Sequence, residues 1–285
     1  MAGLSIIGRD AYGVFPLKGK LLNVRDIKNT SKIVDNVELN TLRKIMGLQA
    51  GKVYTKENIK ELRYGKIMIL ADQDEDGSHI KGLLFNLFDT LWGSLFKMDT
   101  VFNSMLTPIV KVTYSNSKLK PLEFYSLKDF EAWEQKQKEN DSKHKWTAKY
   151  YKGLGTSTPK EAKEYFKNMK MVTYTVTEPE DTNDLNLAFS KNENSSDKRK
   201  MWLKSYDKSA TLDYTKPNVS LSDFVHKDLK HFSNSDNIRS IPSVVDGLKP
   251  SQRKVLFGCL KRHLTKTEIK VAQLAGYISE HAAYH

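Results

Sequence analysis

A chain of 285 residues is long for one domain, so two domains or one elaborated domain are expected. Apolar residues at 39% suffice for a core, and 46 Lys and Arg against 34 Asp and Glu leave a net charge of +12, which suits a polyanionic partner or a merely solvated basic surface. The single cysteine, Cys259, excludes an intrachain disulfide and fits a reducing compartment, and no apolar run approaches the ~20 residues that span a bilayer.

In chain order, "MAGLSIIGRDAYG" lacks the pattern of a signal peptide, and its "LSII" reads as a buried strand. "PLKGKLLN" then sets Lys18 and Lys20 around Gly19 beside an apolar run. "KIMILA" reads as a second buried strand. The segment after it, "SHIKGLLFNLFDTLWGSLF", repeats Ile80, Leu83, Leu84, Leu87 and Leu91 at helical spacing. This alternation over residues 1 to about 115 predicts an α/β layer: a parallel sheet flanked by helices. Residues 116–218 are mixed and polar, and "EQKQKENDSKHK" and "SKNENSSDKRK" read as exposed insertions or flexible loops. Within that region Thr158, Pro159 and Glu161 form a helix start, with an N-cap, a proline at the first helical position and a capping box. From 219 to 285 the pattern turns helical again around a Pro-Gly interruption.

Between the second strand and its helix lies "ADQDEDGSHIKGL", with four acids in six residues. Asp72, Asp74, Asp76 and Gly77 match the opening of an EF-hand calcium loop. That motif needs a bidentate Glu at loop position twelve, where this chain has Leu83, and a helix rather than a strand before it. The calcium-loop reading fails on both counts. In open α/β sheets, sites gather at the carboxyl ends of strands. Strand geometry continued through the cluster would put Asp72, Asp74 and Asp76 on one side and Glu75 opposite. Three such carboxylates need a cation, and Mg²⁺ or Mn²⁺ with oxygen ligands and substrate phosphates is the natural one. The alternative is an acidic turn capping the next helix through its dipole.

Two further motifs bear on partners. "YKGLGTSTPK" has Gly153 and Gly155 but Thr158 where a dinucleotide loop needs its third glycine. Its glycines instead let the backbone turn near the acidic site, and Lys152 is a candidate phosphate contact or a solvated lysine. Residues 246–270 hold seven basic residues against two acidic ones, a local charge of +5. They fall in two helical patterns, with stripes Val255, Leu256, Leu260 and Val271, Leu274, Ile278 expected to be buried. Two short helices with basic flanks suit a helix-turn-helix lying on a duplex, or an ordinary helical hairpin.

These segments together resemble the type IIA DNA topoisomerases, in the eukaryotic or large-DNA-virus branch. "LRYGKIMILADQDEDGSHIKGLL" looks like that family's Toprim metal motif, and "GRDAYGVFPLKGKLLNVRD" resembles the stretch near the start of its Toprim fold. "KYYKGLGTSTPKEAKEYF" resembles its signature loop and helix. "FSNSDNIRSIPSVVDGLKPSQRKVLFGCLKR" and "IKVAQLAGYISEHAAYH" resemble its entry into the winged-helix domain. The blocks stand in family order over nearly the whole chain. The resemblance implies a Toprim core over 1–115 and the remainder of the Toprim region with polar insertions over 116–218. Residues 219–285 would be the N-terminal part of a winged-helix domain.

It further implies Mg²⁺ ligands at Asp72, Asp74 and Asp76, with Glu75 and Ala71 as departures from common family residues. Lys20, Asn23, Lys152, Arg253, Lys254, Lys270 and His285 become the implied contacts to double-stranded DNA. The implied activity is ATP-dependent passage of one duplex through a transient break in another, by a homodimer. Its setting would be the nucleus in a eukaryote, or the host cytoplasm or a viral factory for a virus.

The family's Toprim Glu lies just upstream of "AGLS" and its nucleophilic Tyr follows an Arg well downstream of "YHHGE", so both are expected outside these residues. Tyr64, although it follows Arg63, is read as structural, and Tyr284 lacks the preceding Arg. No G-x-x-x-x-G-K-[ST] loop occurs, so ATP would be bound by a domain not included here. The expectation is an internal piece, inactive alone. Rival readings are a Toprim primase or nuclease, against which the winged-helix block argues, and a non-catalytic DNA-binding module.

Overall fold

The structure, a computed structural model, describes residues 3–98, 101–116, 118–139, 145–151 and 153–284. The chain divides into two units, Met1–Lys230 and His231–His285.

The first unit is organised by the helix Glu75–Phe96. Its apolar repeat buries Leu83, Leu84, Phe85, Leu87 and Phe88 on one side of a four-stranded sheet. The sheet strands are β1 (Ile67–Ile69), β2 (Phe102–Met105), β6 (Met171–Thr175) and β7 (Asn218–Ser220), in that spatial order. Phe85 lies at the centre, with ring centroids 4.7 Å from Tyr174, 5.1 Å from Phe224 and 5.9 Å from Phe102. Rings in edge-on and tilted contact at this spacing add to the area they bury. The helix is interrupted at Trp92, whose φ of −142° and ψ of 50° leave the helical region.

The expected α/β layer is present, with two corrections. β1 pairs β2 in parallel and β6 pairs β7 in parallel, but β2 and β6 are antiparallel, so the sheet is mixed. "LSII" is no strand. Leu4–Ile7 is a helical turn closed by Ile6 N–H to Gly3 C=O at 2.9 Å, and neither sheet offers it a partner.

The polar stretch after residue 109 contains a second small core. Strands β3 (Val110–Tyr114), β4 (Leu122–Phe124) and β5 (Trp146–Tyr150) form an antiparallel sheet in the order β4-β3-β5. The helix Leu127–Glu139 covers it, packing Phe130 and Trp133 on Val110, Val112, Leu122, Phe124 and Trp146. Part of "EQKQKENDSKHK" is thus the solvated face of a helix, and residues 140–144 lie outside the described residues. "SKNENSSDKRK" likewise runs into the helix Ser195–Lys204, anchored by the buried Trp202.

In the second unit, the helices Pro250–Lys261 and Val271–Ala282 form as their sequences predict. They meet where Gly258 faces Ile278: a Cβ on Gly258 would stand 2.7 Å from the Ile278 side chain. The expected buried stripes are not formed. Ile278 is 4% exposed, but Leu256, Leu260 and Val271 are 48%, 58% and 83% exposed. Two short helices touching at one glycine bury a seam, and the flanks of each stripe stay outside it.

Candidate metal and nucleic-acid site

β1 ends at Ile69, three residues before the first aspartate of the cluster. The strand alternation invoked for the cluster therefore does not operate. Asp72 lies in the connection, Asp74 is the N-cap, and Glu75 and Asp76 begin the helix. Asp74 Oδ1 accepts from Gly77 N–H at 2.7 Å. The capping alternative holds for this one residue, at a helix end where acidic side chains also meet the favourable end of the dipole. Glu75, the departure from the family pattern, sits in that same first turn.

Gly77 is required by close approach. A Cβ there would collide with the Asp72 carbonyl oxygen, so only glycine lets the connection fold back on the first turn. Gly153 has the same reason on the other side. A Cβ at Gly153 would stand 2.6 Å from Asp72 Oδ2, which places the loop after β5 directly against that carboxylate. Lys20 comes from a third segment, with its Nζ 3.7 Å from Asp76 Oδ1. Asp72, Asp74, Asp76, Lys20 and Gly153, far apart in sequence, thus belong to one neighbourhood.

The donor chemistry suits a hard divalent cation. The side chains offered are carboxylates, and the ammonium of Lys20 already stands beside Asp76 as a counter-charge. Among the described residues, however, no three His, Cys, Asp or Glu side chains close on one point. Such an open arrangement matches Mg²⁺ practice, in which one or two carboxylates share the ion with water and phosphate oxygens.

The loop that brings Gly153 in is held by the helix after it. Thr158 and Glu161 form the expected capping box at the start of Pro159–Asn168. Glu161 also accepts from Lys149 Nζ at 2.8 Å and from Tyr151 Oη at 2.6 Å. Burial pushes the Glu161 carboxyl up, but the hydrogen bonds from Lys149, Tyr151 and Thr158 outweigh it and hold the pKa at about 2.

The implied DNA contacts are placed unevenly. Lys20 is half-exposed at the acidic site. Asn23 is committed inside the protein: its Nδ2 donates to Phe189 C=O at 2.9 Å, and its Oδ1 accepts from Asn86 Nδ2 at 2.9 Å and from Arg25 N–H at 3.1 Å. Arg25 extends this network to Asn86, Asn186 and Asp89 at 2.5–2.6 Å. An amide so engaged has little left for a phosphate. In the second unit, Arg253 makes a two-pronged pair with Asp246 at 2.7 and 2.8 Å, and Lys254 donates to Ala283 C=O at 2.7 Å. Lys270 is exposed just before the helix Val271–Ala282. Lys152 and His285 lie outside the described residues. Tyr64 is structural in placement, with its hydroxyl against Gly13.

The sequence reading overlooked Ser78, Lys81 and Asp228. Ser78 Oγ donates to Asp228 Oδ1 at 2.7 Å, and Lys81 Nζ lies 3.5 Å from Asp228 Oδ2. The signal was a lysine among the apolar positions of a buried helix, three residues after a serine.

Three family descriptions match consecutive segments: Toprim domain over 2–104, C-terminal associated domain of TOPRIM over 105–237, and DNA gyrase/topoisomerase IV over 239–285. The chain is 50% identical over 291 residues to DNA topoisomerase 2 of Candida albicans and 49% identical over 301 residues to DNA topoisomerase 2-alpha of Homo sapiens. Each alignment takes in 100% of this chain and 19% of the relative, so the chain spans about one fifth of their length. A crystal structure of the Plasmodium falciparum topoisomerase II DNA-binding, cleavage and re-ligation domain superposes with a TM-score of 0.83 at 47% identity, covering 100% of this chain and 38% of that one. By these matches along its whole length, the chain is a homologue of the Toprim and breakage–reunion region of the eukaryotic type II DNA topoisomerases.

Proposed function

We propose that this chain is the part of an ATP-dependent type II DNA topoisomerase that binds metal and grips the duplex to be cut, working in a homodimer in the nucleus. The observation that carries the reading is the neighbourhood of Asp72, Asp74, Asp76 and Lys20, built from three segments of a chain homologous throughout to those enzymes. Toprim domains and type II topoisomerases are metal-dependent. We infer Mg²⁺, with Mn²⁺ as a substitute, and assign Asp72, Asp74 and Asp76 as its ligands. Asp74 would do so through the oxygen not used in capping.

A cation held there would supply positive charge to a phosphodiester during strand breakage. Lys20 would then exchange its pairing with Asp76 for a backbone phosphate. Lys152, Lys270 and the basic flanks of Pro250–Lys261, including Arg253 and Lys254, would grip phosphates without reading bases. His285 belongs to the same set by resemblance alone. Asn23 acts through the loop it ties down. The nucleophile is assigned to none of Tyr64, Tyr284 or the other tyrosines of this chain.

Titration calorimetry with Mn²⁺ tests the metal assignment on the 285-residue chain. Asp72→Asn and Asp76→Asn should each weaken binding at least tenfold. Binding unchanged in the Asp72→Asn/Asp74→Asn/Asp76→Asn variant would remove it. That result would favour the second reading, prompted by the Asp74 cap, of a DNA-binding module whose acids are structural.

A further inference from the structure

The helix turn that presents Asp74 and Asp76 is tied to a distant segment by a buried charge. Residues Val225–Leu229 form a π-turn, a geometry that costs regular hydrogen bonding and recurs at functional places. It carries Asp228 towards the helix Glu75–Phe96. Ser78, 2% exposed, donates its hydroxyl proton to Asp228 Oδ1 at 2.7 Å, while Ser78 Oγ also lies 3.2 Å from the Asp74 carbonyl oxygen. Lys81, 1% exposed, stands 3.5 Å from Asp228 Oδ2 and 5.9 Å from the centroid of the Phe224 ring.

Burial disfavours the Lys81 ammonium, but the surrounding acidic groups, Tyr174, Asp228 and Tyr214, outweigh it and hold its pKa above the ordinary lysine value. A buried pair of this kind is a poor source of net stability compared with apolar packing, because desolvation offsets most of the attraction. What the pair does supply is a fixed acceptor for Ser78, one turn from the capping aspartate.

We propose that Asp228 is a positioning residue for the acidic site. Through the Ser78 hydroxyl it fixes the first turn of the helix that presents Asp74 and Asp76, with Lys81 as its buried counter-charge. This rests on the metal assignment above only for its consequence, metal affinity. Its direct effect is the geometry of the turn.

Two variants of the 285-residue chain separate positioning from stability. Ser78→Ala removes the link and keeps the ion pair. Lys81→Met/Asp228→Leu replaces both charges by apolar groups, so the fold holds while Ser78 loses its acceptor. Amide hydrogen exchange by mass spectrometry is read on peptides covering 72–80 and, as an internal control, 83–96, and Mn²⁺ affinity is read by calorimetry. The expected result in both variants is at least tenfold faster exchange confined to the first peptide and a roughly tenfold loss of Mn²⁺ affinity, the size seen when an outer hydrogen bond to a metal ligand is removed. Wild-type exchange in 72–80 in both folded variants overturns the proposal. If wild-type chain binds no Mn²⁺ through Asp72 and Asp76, the metal assignment alone fails, and the exchange measurement still decides the role of Asp228.

Discussion

Gly77 and Asp74 carry the local geometry of the acidic turn, and each makes a sharp demand. A methyl group at Gly77 meets the Asp72 carbonyl, a backbone atom that cannot rotate aside. Gly77→Ala should cost about 1–3 kcal/mol in urea unfolding, the usual range for overpacking. Gly155→Ala, where nothing lies within 4 Å, should cost far less. Asp74 has two roles that substitution can part. Asp74→Ala loses the cap to Gly77 N–H and should destabilise by about 1 kcal/mol. Asp74→Ser restores a good N-cap and with it the stability, but offers no carboxylate. Calorimetry on Asp74→Ser should therefore show weakened Mn²⁺ binding in a protein of wild-type thermal stability. Full metal binding there would make Asp74 a cap and nothing more.

At the scale of one element, the loop holding Gly153 against Asp72 depends on the start of Pro159–Asn168. Glu161 is its hub, with a folded-state pKa of about 2 against an unfolded value of 4.5. A depressed carboxylate contributes stability that is present above the unfolded value and is lost as pH falls through the folded one. The loss should run from about pH 4.5 down to about pH 2. Acid unfolding followed by circular dichroism should show this slope in the wild type, and Glu161→Gln should lack it. Glu161→Gln should also be less stable than wild type at neutral pH, because Lys149 and Tyr151 keep their positions but lose an ionised acceptor. Equal pH slopes in the two proteins would show that Glu161 is not what holds the loop.

Over the whole molecule, a net charge of +12 makes phosphate contact the dominant source of affinity for a duplex. Binding measured by fluorescence anisotropy should weaken steeply between about 50 and 200 mM salt, with little difference between unrelated sequences. Lys270→Ala should lower affinity about equally for all sequences and reduce the logarithmic salt slope by about 1. Asn23→Ala should act differently, lowering stability and leaving the slope unchanged, because its amide is spent on Phe189, Asn86 and Arg25. A flat salt response, or preference for one sequence, would contradict the assigned mode of binding.

Much of this was legible before any coordinates. The apolar period of Ile80 to Leu91 specifies the central helix, Thr158 with Glu161 specifies another, and the order of motif blocks specifies the family. Such features are local or additive, so a linear reading captures them. The tertiary structure decided matters that depend on which segments meet. "LSII" has strand-like residues, but no strand lies beside it, and backbone groups without a ladder close into a helical turn. The polar run of residues 127–139 conceals Phe130 and Trp133, two apolar residues whose weight appears only when β3, β4 and β5 close beneath them. Asn23 reads as an outward polar residue until Asn86 and Phe189, 63 and 166 positions away, take up its amide. The Ser78–Asp228 link spans 150 positions. No periodicity records a contact at that separation, because only folding makes the two ends neighbours.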